Sequence, residues 1–186
     1  MKKGLFYMVI ILCFLFFFTG CKINVTKKES QGSDVETKEP IKIVLAKEHE
    51  AQLSDPDIQL EIESVSREIK KIESEFKENA VNFVPVKGMY NHSERKMITV
   101  CLFVNKTQET ICGIHGDIRL SFKELDAEIA KMTIDLDEQF LGETKPNEAL
   151  LVHFTIPVRG LNEDVDFSNL DFDGVFDNAT FLIVEN

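Results

Sequence analysis

Tryptophan is missing from this chain, and what aromatic content there is comes almost entirely from fifteen phenylalanines against two tyrosines. That balance reads as AT-rich coding rather than as an aromatic binding platform. Positive charge is also scarce. Twenty-one Lys and Arg face 32 Asp and Glu, a formal net charge of -11, which argues against nucleic acid, whose phosphates need basic partners, and against adsorption to anionic lipid. No Gly-x-Ser-x-Gly elbow and no glycine-rich phosphate loop occurs, so neither an α/β-hydrolase nucleophile nor a nucleotide cradle is encoded. Carboxylates are abundant, but number alone makes no general acid, which needs surroundings that shift its pKa. These absences lead to the expectation of a protein that is not an enzyme and needs no cofactor.

Long apolar runs are lacking everywhere except at the start. Lys2 and Lys3 precede an uncharged stretch from Leu5 to Phe18, followed by Thr19, Gly20 and Cys21. The run is short for an isolated membrane span and has the layout of an export signal. Phe18-Thr19-Gly20-Cys21 resembles the lipobox of signal peptidase II substrates, with Phe18 where that pattern usually carries an aliphatic residue. The resemblance implies that Cys21 receives a diacylglyceryl group on its sulfur and becomes the first residue of the mature chain. An uncleaved signal anchor is the alternative. Two acyl chains make a stable anchor where one does not, so the expected location is the extracytoplasmic face of the cell membrane.

Loss of residues 1–20 would remove two lysines and no acid, leaving 19 basic against 32 acidic residues and a charge of -13. Residues 21–40 then form the lipidated cysteine and a polar tether without apolar periodicity. As flexible coil such a tether reaches roughly 25 Å. The remainder, residues 41–186, is long enough for one domain with a real core.

Within that domain, Ile41, Ile43 and Leu45 alternate with polar residues as a first strand. The period then changes. Asp55 is placed as an N-cap with Pro56 at the first helical position, and Ile58, Ile62, Val65, Ile69, Ile72 and Phe76 recur at spacings of four and three. This stripe predicts one amphipathic helix over about 56–79, whose apolar face is either packed on the protein's own sheet or used as a self-association seam. From residue 80 onward short alternating segments separated by turn residues predict an all-β domain. The expected strands are 82–86, broken at Gly88; 96–104; 117–122 after a turn flanked by Gly113 and Gly116; 128–136; 149–156; 165–172; and 180–184. About seven strands after one helix predict a mainly β fold, an immunoglobulin-like β-sandwich without the Cys and Trp hallmarks of antibody domains.

The order LSDPDIQ, VNFVPVKG, KMITVCLFVNKT and IDLDEQFLGETKPNEALLVHFTIP resembles the SLAP domain of Bacillus-type surface proteins, and more loosely the immunoglobulin-like modules of Gram-positive lipoproteins. The resemblance covers about residues 45–185 and carries no catalytic motif. It implies a cell-surface binding or assembly role connected with secretion or S-layer assembly, with an envelope protein or polymer as partner.

Few residues invite chemistry. Cys101 and Cys112 are the only thiols left to the folded part and are a candidate disulfide of an exported chain, although Cys101 in an apolar strand suits a buried free thiol equally. Cys112 and His115 have half the spacing of a zinc site, without a second pair. His49 and His92 have no evident partner, and His153 reads as a half-buried strand residue. Asp164, Asp166, Asp171, Asp173 and Asp177 leave open a weak calcium loop near Asp171 or a solvated acidic face.

Overall fold

The computed structural model describes residues 39–169 and 171–184. Cys21, the leader and nearly all of the tether lie outside the described residues. The described chain is mainly β and folds as a sandwich of two sheets. The larger contains β1 (Lys42–Leu45), β2 (Val81–Asn91), β3 (Lys96–Asn105), β7 (Glu148–Arg159) and β8 (Val165–Ser168) in the order β1-β7-β3-β2-β8, with the short β5 (Glu128–Ile129) added on β7. The smaller contains β4 (Ile111–Phe122), β6 (Met132–Leu136) and β9 (Phe172–Ile183) in the order β6-β4-β9. All pairings are antiparallel except β1 with β7.

The central strand β3 explains the layering. Met97, Cys101 and Phe103 point into the core between the sheets, where they meet Ile111, Ile114, Ile118 and Ile134. Val100, Leu102 and Val104 point the other way, into a second core with Ile43, Leu151, Val65 and Ile69. A strand apolar on both faces must be covered on both. Helix α1 (Pro56–Ile72) supplies the second cover, so the molecule stacks as helix, large sheet, small sheet.

The helix starts as its residues dictate: Pro56 occupies the first turn and the Asp55 carboxylate accepts the Asp57 N–H at 2.9 Å. It ends at Ile72, earlier than the expected 79, in a single 3-10 turn, Glu73–Glu75. Val65 and Ile69 are buried against the sheet; Ile58, Ile62 and Phe76 pack partly on the same core, Phe76 from beyond the helix end. Glu61 fastens the helix from its side, with Lys87 Nζ of β2 at 2.8 Å and His153 Nε2 of β7 at 2.9 Å.

Two segments expected as single strands are corners. Residues 128–136 divide into β5, on the large sheet, and β6, on the small one; residues 165–172 divide between β8 and the start of β9 in the same way. Alternation continues across such a corner because both sheets send side chains into one core, which is why the pattern hides it. The glycines read as strand breaks are not breaks. β2 runs through Gly88, where an added Cβ would lie 2.9 Å from Met97 Sδ. β4 runs through Gly113 and Gly116, shifting register between Ile111 and Gly113 and between His115 and Asp117.

Candidate functional site

Both sheets leave an edge free on the same side of the sandwich. Among the described residues, β9 pairs only with β4, and residues 81–86 of β2 pair with β3 alone, because β8 reaches no further than Lys87. Pro85, without an N–H, lies on this unpaired stretch, as edge strands allow. The two edges touch at one crossing: a Cβ on Gly174 would sit 2.9 Å from Cδ and Cγ of Pro85. Around that crossing a cleft of about 600 Å³ opens between them, lined in part by Ile72, the last residue of the helix, and by Phe76 beyond it.

The cleft is lined by phenylalanine. Phe83 of β2 and Phe176 of β9 have ring centroids 6.0 Å apart, each lies 5.2 Å from Phe103 beneath them, and Phe181 follows at 6.2 Å from Phe176. Past Gly174 the row continues through Phe172, Phe122 and Phe167 at centroid distances of 4.7–5.4 Å. Of these seven phenylalanines, Phe83, Phe172, Phe176 and Phe181 line the cleft, and Phe103, Phe122 and Phe167 back them from the core between the sheets. Gly116 makes room for this, since a Cβ there would meet the Phe176 ring at 2.5 Å. Lys77, Glu75, Lys123 and Asp173 stand around the opening, the last two 3.8 Å apart. Val175 of β9, an exposed apolar residue, is part of its lining. Unpaired strand edges and aromatic walls suit capture of an extended peptide, main chain on the edge and side chains in the cleft.

Composition had presented the phenylalanines as coding bias, and no spacing marks them as neighbours; the topology assembles them. A usable signal was the pair Pro85 and Gly174, two residues that sit poorly in central strands.

The residues singled out from sequence are spread over the molecule. Cys101 and Cys112 are both free thiols, which corrects the candidate disulfide. Cys101 belongs to the core between the sheets, whereas at the β4 bulge Ile111 and Ile114 take the inward positions and Cys112 joins neither core. Burial pushes the Cys101 thiol up to about 12, against a smaller lowering from Thr99. The Cys112 thiol is raised too, by burial and then by the charges of Glu138 and Glu143. His115 is 3.6 Å from Asp135, and among the described residues no group of three His, Cys, Asp or Glu is placed to hold a metal ion.

Of the five acidic residues singled out near 171, Asp164, Asp171 and Asp177 each bond to a neighbour, Asp173 is 3.8 Å from Lys123, and Asp166 is exposed on β8. Asp164 accepts the His92 N–H at 2.6 Å. Asp171 accepts the Ser168 N–H at 2.7 Å and its hydroxyl at 2.8 Å, which hold its carboxyl below the ordinary range. Asp177 is bonded to Arg119. On the outer face of the small sheet, Asp117 accepts from Lys131 (2.8 Å), Thr133 (2.6 Å) and Asn178 (2.8 Å), which together hold its carboxyl far below the usual range and tie β6 and β9 to β4. The chain matches no family model, no curated protein and no solved structure.

Proposed function

We propose that this chain is a lipid-anchored, extracytoplasmic binding module that captures an extended segment of another envelope protein at the cleft between β2 and β9. The observation that carries the reading is the pair of unpaired edges flanking a phenylalanine-lined cleft. Strand addition satisfies the free N–H and C=O groups of an edge while alternate side chains enter pockets. The occupant is an extended segment with large apolar residues at every second position and basic residues between them. Its apolar residues match the phenylalanines, and its charge complements an acidic chain. The lipobox-like Phe18–Cys21 supports the anchor, and the SLAP-like order of segments supports a role in secretion or surface assembly. Catalysis is not part of this reading. Self-association through the helix stripe is the weaker alternative, because Val65 and Ile69 are already covered by the sheet.

A photo-crosslinking residue placed at Val175, in the lining of the cleft, is compared in intact cells with one at Ile98, an exposed apolar position on the outer face of the large sheet. A discrete adduct from Val175 alone is expected. Equal labelling from both positions, or none from Val175, overturns the cleft.

A further inference from the structure

A concavity at the far end of the sandwich is lined by cations. A pocket of about 550 Å³ lies between the β2–β3 hairpin and the end of β7, and Arg95, Lys96 and Arg159 line it. Two of the four arginines of a chain with net charge -11 are therefore in one concavity. Among the described residues, none of these three cations is ion-paired, whereas Lys42, Lys87, Arg119 and Lys131 all are. The single carboxylate in the lining is Glu94; Asp164, which accepts the His92 N–H, and Glu128, opposite Arg159 in the β5–β7 register, stand next to the lining, and neither is ion-paired with the three cations among the described residues.

The frame around these cations is held firmly. Arg95 sits at φ +53°, a left-handed conformation that hairpins ordinarily give to Gly or Asn. Its backbone is clamped there: its N–H donates to His92 O at 3.3 Å and its carbonyl accepts Val158 N–H at 3.1 Å. His92 lies against the other wall, with Nδ1 3.3 Å from Leu161 O, and the buried Tyr90 hydroxyl donates to the same carbonyl at 3.5 Å. The pocket is also remote from the chain entry. Asn147 binds the carbonyl of Glu39 at the opposite end of β7, and the twelve residues from there to Arg159 extend roughly 40 Å as strand.

We propose that this pocket binds a phosphate group of a phosphate ester, with Arg95 and Arg159 as the forked donors and Lys96 as the point charge. Two guanidinium groups present paired N–H donors that match phosphate oxygens, and a third cation suits a dianion better than a single carboxylate. In an acidic molecule such a ligand is retained by local contacts, since the overall field opposes its approach. The site is separate from the cleft and stands without the anchor or the proposed peptide partner.

The test titrates the purified full chain, in neutral detergent at low salt, with glycerol 1-phosphate and with inorganic phosphate by calorimetry. In parallel it measures sedimentation with phosphatidylglycerol vesicles against phosphatidylcholine vesicles. Saturable binding of glycerol 1-phosphate is expected. Arg159→Gln weakens it about tenfold or more, as loss of a charged hydrogen-bond donor should. Arg95→Asn, which keeps a residue at home in the left-handed region, does the same, while Arg67→Gln, at an exposed arginine on α1 that has no ion pair among the described residues, leaves it unchanged. Thermal melts of each variant separate lost binding from lost folding, and Arg159→Gln alone carries the test if Arg95→Asn unfolds. The proposal is overturned by absence of saturable binding, by equal weakening in Arg67→Gln, or by capture of phosphatidylglycerol vesicles without response to glycerol 1-phosphate.

Discussion

Single side chains in this protein are mostly spent on joining layers. Glu61 is the clearest case. Burial works to raise its carboxyl, but the Lys87 and His153 contacts outweigh burial and leave it below its ordinary value. A carboxyl lowered in the folded state stabilises above its unfolded pKa, near 4.3, and that contribution is lost as pH falls through the folded value. Glu61→Gln should therefore lower stability by about 1–3 kcal/mol near pH 7 and flatten the acid limb of the melting profile below about pH 4. An unchanged acid limb in thermal melts from pH 3 to 7 would remove Glu61 from that role. The cysteines give a second prediction at this scale. With both thiols raised and buried, iodoacetamide should leave Cys101 unmodified in native protein and label both Cys101 and Cys112 after denaturation without reductant. A mass two daltons short at these positions would reveal the bridge that the structure lacks.

At the scale of elements, helix α1 and strand β9 have opposite relations to the core. The helix is a lid on the large sheet, and Ile69 is its most deeply committed branched residue after Val65. Ile69→Ala should cost about 2–5 kcal/mol by the lost contacts and the cavity left behind, measured as a shift in urea midpoint. Ile69→Asp should prevent folding, whereas a seam role would leave a folded monomer. β9 is held on one edge only, and its approach to β2 depends on Gly174. Pro85 cannot rotate out of the way of a Cβ at 2.9 Å, so Gly174→Ala should push the two edges apart. A destabilisation of about 1–3 kcal/mol follows from overpacking, together with weaker crosslinking from Val175. Retained stability with undiminished crosslinking would show that the crossing does not shape the cleft.

Taken as a whole, the molecule is read as an acidic body with three separate surfaces: the edge cleft, the cationic pocket at the far end, and the polar outer face of the small sheet organised by Asp117. The proposed lipid anchor predicts a diacylglyceryl mass on an N-terminal peptide beginning at Cys21, and predicts that replacement of Cys21 by Ala removes that mass and shifts the protein from the membrane fraction to the soluble exported fraction. A membrane-bound Cys21→Ala protein beginning at Met1 would favour the uncleaved anchor. The mainly β class, the helix start at Asp55 and Pro56, and the strand 96–104 were legible in the chain itself because each rests on local periodicity or on a cap that spans a few residues. Assignment of 128–136 and 165–172 to single strands failed because period-two alternation is the same on either side of a corner. The cleft and the cationic pocket were illegible for a related reason: Phe83 and Phe176, or Arg95 and Arg159, stand tens of residues apart and come to line one cavity only through strand order. Sequence by itself determined which stretches are strand or helix and which faces are apolar, since backbone geometry and burial of apolar area act over neighbouring residues. Only the tertiary structure decided which edges remain unpaired and which charges converge, because those depend on pairings between distant segments that no local pattern encodes.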